Sequence, residues 1–134
     1  MLNQALELEQ AARIQYMAHA EQATTPAVIA RLKEIAGDEK EHEELFREMI
    51  GSYLEAVPAM SIAETHPAKT EKDMLKVNLA DEKHAVDFYS GIMDKLKTMN
   101  KELKYEYLQL EHSLRHVIMD EQEHIVELKL LMRR

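Results

Sequence analysis

Apolar residues recur at helical spacing through most of the chain. Over residues 2–24 they fall at Leu2, Leu6, Leu8, Ala12, Tyr16 and Ala20, a stripe that lets one face of a helix pack on a core. Thr24-Thr25-Pro26 interrupts it, with Thr25 placed as an N-cap and Pro26 as the first residue of a second helix over about 26–50. That helix carries its apolar face on Val28, Ile29, Leu32, Ile35, Leu45, Phe46 and Met49, and Gly51 marks its stop. Residues 51–69 have no clean period and contain Pro58 and Pro67. Two further helices are expected over about 70–99 and 101–132, turning at Asn100.

The connections set the topology. Extended, the 51–69 stretch reaches ~55 Å, whereas a helix of about 28 residues is ~42 Å long. It can therefore cross the whole molecule and start helix 3 at the opposite end. The other two connections are short, which makes helices 1–2 and 3–4 antiparallel hairpins. The expectation is a single all-α domain over 1–134, a four-helix bundle of two antiparallel hairpins joined by a long crossover.

Composition agrees with helices: three Gly, three Pro, seven aromatic residues without Trp, and no Cys among 134 residues. Without Cys there is no disulfide, thiolate metal site or Cys nucleophile. The net charge of −8 argues against non-specific binding of nucleic acid or anionic membrane. No apolar run is long enough for a membrane span, and no signal peptide is visible, so a cytoplasmic location is expected.

The chemistry lies in an internal repeat. The first half has Glu9-x-x-Ala12-x-x-x-Tyr16, then Asp38-Glu39-x-x-His42. The second has Glu82-x-x-Ala85-x-x-x-Tyr89, then Asp120-Glu121-x-x-His124. Positions i and i+3 of a helix share a face. Glu39 with His42, and Glu121 with His124, can each offer a carboxylate oxygen and an imidazole nitrogen to one point. Two such helices, plus one Glu from each of two others, form the constellation of a di-iron or di-manganese carboxylate site. Counted from the short turns at 1.5 Å per residue, Glu9 and Glu39 agree in height within ~3 Å, and Glu82 and Glu121 within ~5 Å. Asp38 and Asp120 are expected to orient the histidines, Asp38 on His124 and Asp120 on His42, because a ligating imidazole donates its other N–H to a carboxylate. Tyr16 and Tyr89 share faces with Glu9 and Glu82, as hydrogen-bond donors or redox-active groups.

Blander readings weigh against each part. A lone Glu-x-x-His is common on helix surfaces; the phased repetition is what carries weight. Tyr16 and Tyr89 could be ordinary core tyrosines, and Asp38 and Asp120 ordinary surface acids. His112 and His116 are one turn apart and could bind a second metal, but their face lies away from Glu121, which favours solvent. His19 and His84 read as surface or packing residues. Asp81-x-x-His84 is a competing register on helix 3, set aside because only Glu82 matches the repeat. The nine Met read as core filler.

At these residues the chain resembles the ferritin-like superfamily, rubrerythrin and bacterioferritin in particular. Residues Glu9 to Tyr16 look like the first-helix motif of both; Gly37 to His42 looks most like rubrerythrin, and Asp120 to Ile125 like bacterioferritin. The resemblance covers essentially the whole chain and implies a ferritin-like four-helix bundle. It implies two iron ions held by Glu9, Glu39, His42, Glu82, Glu121 and His124, with Glu39 and Glu121 bridging and Glu9 and Glu82 terminal. There are departures. Without Cys there is no rubredoxin-type iron site, so any electron donor is external. Rubrerythrins use an extra Glu one turn after the helix-3 ligand, where this chain has Ala85. Bacterioferritin's haem-ligating Met follows the helix-2 Glu, where this chain has Lys40, so no haem is expected. No fifth helix is expected, which favours a homodimer over a cage, a larger assembly being the alternative.

The leading expectation is a dinuclear iron oxidoreductase that oxidises Fe(II) with O2 or reduces hydrogen peroxide. The alternatives are non-catalytic iron storage or delivery, another dinuclear enzyme such as manganese catalase or a hydroxylase, and a purely structural bundle. Carboxylate and imidazole ligands suit iron and manganese alike.

Overall fold

A computed structural model describes residues 1–133. Its helices are α1 (Leu2–Gln22), α2 (Pro26–Glu48), α3 (Glu71–Thr98) and α4 (Tyr107–Met132), with no strand among the described residues. They form an all-α four-helix bundle in which α1 packs chiefly on α2 and α3 chiefly on α4. No described helix is long and apolar enough to cross a membrane.

The first three helices start and stop within two residues of the expected bounds, except that α2 widens into a π-helical turn at Met49–Tyr53. The fourth differs. The expected start at 101 is wrong: Met99–Glu106 is a run of turns, closed by hydrogen bonds from the amides of Leu103 to Met99 and of Tyr107 to Leu103. Its composition favours helix, but only Leu103 packs against the core while Lys101, Glu102, Lys104 and Tyr105 face solvent. Tertiary packing therefore overrides local propensity. The later start improves the register: Glu82 lies sixteen residues before Thr98, and Glu121 fourteen after Tyr107.

The long connection runs along α1 and is laced to its polar side chains. Asn3 donates to the Val57 carbonyl (3.1 Å) and accepts from the Ala59 amide (2.8 Å). Ser61 donates to Glu7 (2.6 Å), and the Ala63 amide donates to the Glu7 carbonyl (3.1 Å). Further along, the His66 amide donates to Gln15 (2.6 Å) and the Ala68 amide to His19 (3.2 Å). The partners advance along α1 as the crossover advances, which satisfies backbone groups that no helix serves.

At its far end the crossover delivers Glu71 to the α1–α2 turn. One carboxylate oxygen accepts from the amides of Thr24 and Thr25, at 2.6 Å each, and the other from the Thr25 hydroxyl at 2.7 Å. Thr25 is the N-cap residue of α2, but its side chain makes no cap bond to its own helix. Its hydroxyl instead locks the first hairpin to the start of α3, where Thr70 accepts from the Asp73 amide (3.1 Å). Acidic Glu71 and Asp73 in the first turn of α3, and Lys95 and Lys97 in its last, match the helix dipole.

The interior has three levels. One apolar cluster packs Leu6, Phe46, Met49, Tyr89, Leu110 and Leu114; another packs Tyr16, Leu32, Ile35, Met74 and Leu128. Between them lies a layer of buried ionisable side chains: Glu9, Glu39, His42, Glu82, Glu121 and His124. The methionines divide: Met49, Met74 and Met93 are core filler, while Met60 and Met119 face solvent, so the reading of all nine as core is corrected.

Hydrogen bonds from the Thr25 hydroxyl and the two threonine amides hold the Glu71 carboxyl at about 2, below its ordinary 4.5. A depressed carboxyl stabilises the fold above its unfolded value and loses that contribution as pH falls through the folded one. The group lies at the surface, half-buried, so solvent screening keeps the effect small. Glu71→Gln is expected to lower the melting temperature at neutral pH, and the gap to the unmodified chain is expected to close between pH 5 and 2. Circular dichroism melts at both pH values check this; a gap that widens in acid contradicts it.

Candidate metal centre

Helix lengths bring the layer together. Glu9 lies thirteen residues before the end of α1, and Glu39 thirteen after the start of α2, so the two sit level across the first hairpin. His42 is one turn along from Glu39, and His124 one turn along from Glu121. Each glutamate falls on the inward stripe of its helix, which it shares with buried apolar neighbours such as Leu6, Ile35, Ala85 and Val117. All six side chains are at most 3% exposed.

Their atoms form two overlapping groups, Glu9–Glu39–His42–Glu121 and Glu39–Glu82–Glu121–His124, in each of which the potential ligand atoms lie within 4.8 Å of one another. Glu39 and Glu121 belong to both. His42 Nδ1 lies 3.2 Å from Glu121 Oε1, 3.4 Å from Glu9 Oε1 and 3.8 Å from Glu39 Oε1. His124 Nδ1 lies 3.2 Å from Glu39 Oε1 and 3.3 Å from Oε1 of both Glu82 and Glu121.

The surrounding contacts all cross between hairpins. His42 Nε2 meets Asp120 Oδ2 at 2.8 Å, and His124 Nε2 meets Asp38 Oδ2 at 2.9 Å. The Tyr16 hydroxyl donates to Glu82 (2.7 Å) and the Tyr89 hydroxyl to Glu9 (2.8 Å). Burial first, and the nearby carboxylates second, push both phenols well above 10. They stay protonated and can only donate to those glutamates.

The donor set fits a pair of cations. An ionised carboxylate only accepts, so each Nε2 carries hydrogen toward its aspartate, leaving Nδ1 of a neutral ring with its lone pair inward. Those lone pairs face carboxylate oxygens, which is repulsive unless a proton or a metal lies between. Seven inward atoms have no hydrogen-bond partner: Oε2 of Glu9 and Glu82, both Glu39 oxygens, Oε1 of Glu121, and Nδ1 of each histidine. Leaving a buried carboxylate uncompensated costs several kcal/mol even after relaxation. Two divalent ions would neutralise four carboxylates while the imidazoles stay neutral.

Protons do that work when no metal is present. Burial pushes the carboxyls of Glu9, Glu39 and Glu82 up, reinforced by the charge of Glu121. Burial also raises Glu121, but contact with His124 and His42 outweighs it and leaves that carboxyl below its ordinary value. Burial lowers the imidazoles; contact with Glu121 and a second glutamate overrides this, pushing His42 up to about 12 and His124 to about 11.

Other polar residues join no ligand group. His112, His116 and His84 are exposed, and no ligand group of three or more contains any of them among the described residues, although His116 Nε2 lies 3.3 Å from Asp120 Oδ2 and so flanks the partner of His42. Asp81 binds Gln15 (2.8 Å) and His66 (2.9 Å) rather than joining the layer. His19 is buried, taken up by Asn78 (3.0 Å) and the Ala68 amide. The Gln15–Asn78–His19 network was not foreseen, although Asn78, four residues before Glu82, shares its helix face. Buried Glu43, paired with Arg13 at 2.5 Å, was missed too, although it lies four residues after Glu39 and three before Phe46 on the inward stripe of α2.

A bundle of two hairpins with four carboxylates and two imidazoles at its centre is the architecture of the dinuclear carboxylate proteins. The ferritin-like domain family matches residues 1–117, and the chain belongs to it. Solved structures are similar over nearly the whole chain. A ferritin-like, diiron-carboxylate protein of Bacillus anthracis superposes with a TM-score of 0.88 at 22% identity, covering 98% of this chain and 91% of its own. A Rhodobacter capsulatus bacterioferritin, with a metal-free dinuclear site and haem iron, gives 0.88 at 20% identity, covering 98% and 81%. A dodecameric thioferritin, the bacterioferritin-related protein of Bacteroides fragilis, gives 0.79 at 23% identity, covering 96% and 79%. A comparison with curated proteins finds no match.

The raised groups set the pH behaviour of the metal-free protein. Raised carboxyls leave stability intact below 4.5 and erode it above; raised imidazoles contribute fully below 6.5 and lose that contribution as pH climbs toward 11 and 12. Lowered Glu121 opposes this only in acid. Metal-free protein is therefore expected to lose stability from about pH 5 to 8, and the gain in melting temperature on adding Co(II) to grow over the same interval. Calorimetry with and without the metal checks this; a metal-free melting temperature that rises across the interval contradicts it.

Proposed function

We propose that this chain is a ferritin-like dinuclear iron oxidoreductase, oxidising Fe(II) with O2 or reducing hydrogen peroxide. One observation carries the reading: two ligand groups that share Glu39 and Glu121, with their unpartnered atoms turned inward. A bound iron pair would supply Fe(II)/Fe(III) electron transfer toward the oxidant. In this reading Glu39 and Glu121, which belong to both groups, would be shared by the two ions, with Glu9 and His42 holding one and Glu82 and His124 the other. Asp120 and Asp38 fix the imidazole tautomer and orientation, which raises the basicity of Nδ1. Tyr89 and Tyr16 donate to Oε1 of Glu9 and Glu82, the oxygens that also face His42 Nδ1 and His124 Nδ1, and leave each Oε2 without a partner and free to bind. The sequence has no Cys, so the electron donor is an external protein or small reductant.

Storage of iron within a larger shell is the second reading, favoured by likeness to a dodecameric thioferritin. A homodimer with two irons per chain supports the enzyme; a shell holding iron far beyond two per chain supports storage. Manganese in place of iron would shift the reading to a catalase-type reaction.

Metal analysis of protein purified from its native source is expected to give about two Fe per chain, falling to less than one in Glu121→Ala, since that change removes a ligand from both groups. Protein that neither holds two irons nor alters the rate of Fe(II) oxidation contradicts the proposal. Asp38→Asn and Asp120→Asn are expected to keep the fold and weaken metal binding by roughly 10–100-fold, read by competition with a chelator; unaltered affinity in both contradicts the orienting role.

A further inference from the structure

The centre is walled by imidazole rings on one face and adjoins a cavity on the other. Toward α2 and α4 the rings of His42 and His124 wall it off; their side chains are 0% and 2% exposed and their outer nitrogens are bound to Asp120 and Asp38. Toward α1 and α3 lies a cavity of about 240 Å3, whose lining includes Glu39, Glu82 and Glu121 at its inner end. Unpartnered atoms of those three carboxylates, all at most 3% exposed, are among those left without a hydrogen bond. Four other surface cavities reach none of the six candidate ligands.

The cavity exists because its walls are small. Ala12 and Ala85 both line it, one turn beyond Glu9 and Glu82 at matching places in the repeat. Side chains three residues apart on a helix share a face, so a larger residue at either place would occupy the space beside its glutamate. The outer end is covered by the crossover at Ala63, Glu64 and His66. That segment is pinned by the Ala63 amide to the Glu7 carbonyl (3.1 Å), the His66 amide to Gln15 (2.6 Å) and the His66 ring to Asp81 (2.9 Å). Glu64 and Asp81 give the lining acidic groups near the mouth, and no Lys or Arg lines it. That charge favours a cation over an anion.

Resting on the dinuclear reading above, we propose that this cavity is the passage by which a divalent metal ion and a small oxidant reach the centre, with Ala12 and Ala85 setting its width. Its volume falls below the roughly 300–1,000 Å3 of pockets that take drug-sized ligands. The passage therefore selects ions, O2 and hydrogen peroxide over organic substrates.

The test is the rate of Co(II) uptake by metal-free full-length protein, followed by stopped-flow absorption, in the unmodified chain and in Ala12→Leu, Ala85→Leu and His112→Ala. Leucine on either wall is expected to slow uptake by roughly tenfold, because passage then needs local opening of the packed cleft. Final stoichiometry and the Co(II) spectrum are expected to stay those of the unmodified chain. His112→Ala, at an exposed cavity on the α2–α4 side, is expected to leave the rate unchanged. The two leucine variants are independent, so one that fails to fold leaves the other to decide. Unaltered uptake in a folded leucine variant overturns the passage, as does slowing in His112→Ala alone. Loss of bound Co(II) in a folded leucine variant also overturns it, assigning the alanines to the shape of the site instead. If the unmodified chain does not take up two Co(II), the dinuclear reading itself fails, a result distinct from failure of the passage.

Discussion

Four carboxyl groups and two imidazoles share the middle of a helical core, and they are compensated there or the bundle loses several kcal/mol for each stranded charge. Every partner outside the cluster comes from the opposite hairpin: Asp120 for His42, Asp38 for His124, Tyr89 for Glu9, Tyr16 for Glu82. The polar layer thus fixes how the hairpins meet. A slip of one helix by a turn would separate two of these four pairs and move a glutamate out of the polar layer.

The rest of the structure keeps that layer in register. Apolar clusters above and below supply burial worth roughly 1.5–3 kcal/mol for each fully enclosed Leu, Ile or Phe, which offsets the polar layer. The crossover is laced to α1 from Asn3 to His19, so the second hairpin begins at the right end of the first. Glu71 closes the arrangement by taking up the turn between α1 and α2. The same lacing roofs the cavity beside the cluster. Stability and access are therefore handled by one segment that belongs to no helix.

Much of this was legible in the sequence because helix periodicity and the repeat agree. The Glu-x-x-His pairs, the preceding aspartates and the phased glutamates all report a 3.6-residue period, and the fold places those side chains at one level. Fold class follows from the same pattern with connection lengths. The α3–α4 turn was misread because Lys101, Glu102 and Lys104 favour helix locally, while the anchoring of Leu103 is a tertiary fact. The Gln15–Asn78–His19 network and the Arg13–Glu43 pair were invisible for a related reason. Asn78 and Glu43 do fall on inward stripes, four residues from Glu82 and Glu39, but a polar side chain there reads as solvated until its partner on α1, Gln15 or Arg13, is placed beside it.

The central claim is that one cluster holds two metal ions. Anomalous diffraction at the iron edge, from crystals loaded with Fe(II) without oxygen, tests it directly. The account predicts two peaks between His42 and His124, about 3.5–4 Å apart, with Glu39 and Glu121 between them. A single peak, or iron only at exposed acids and histidines such as His116, would contradict it.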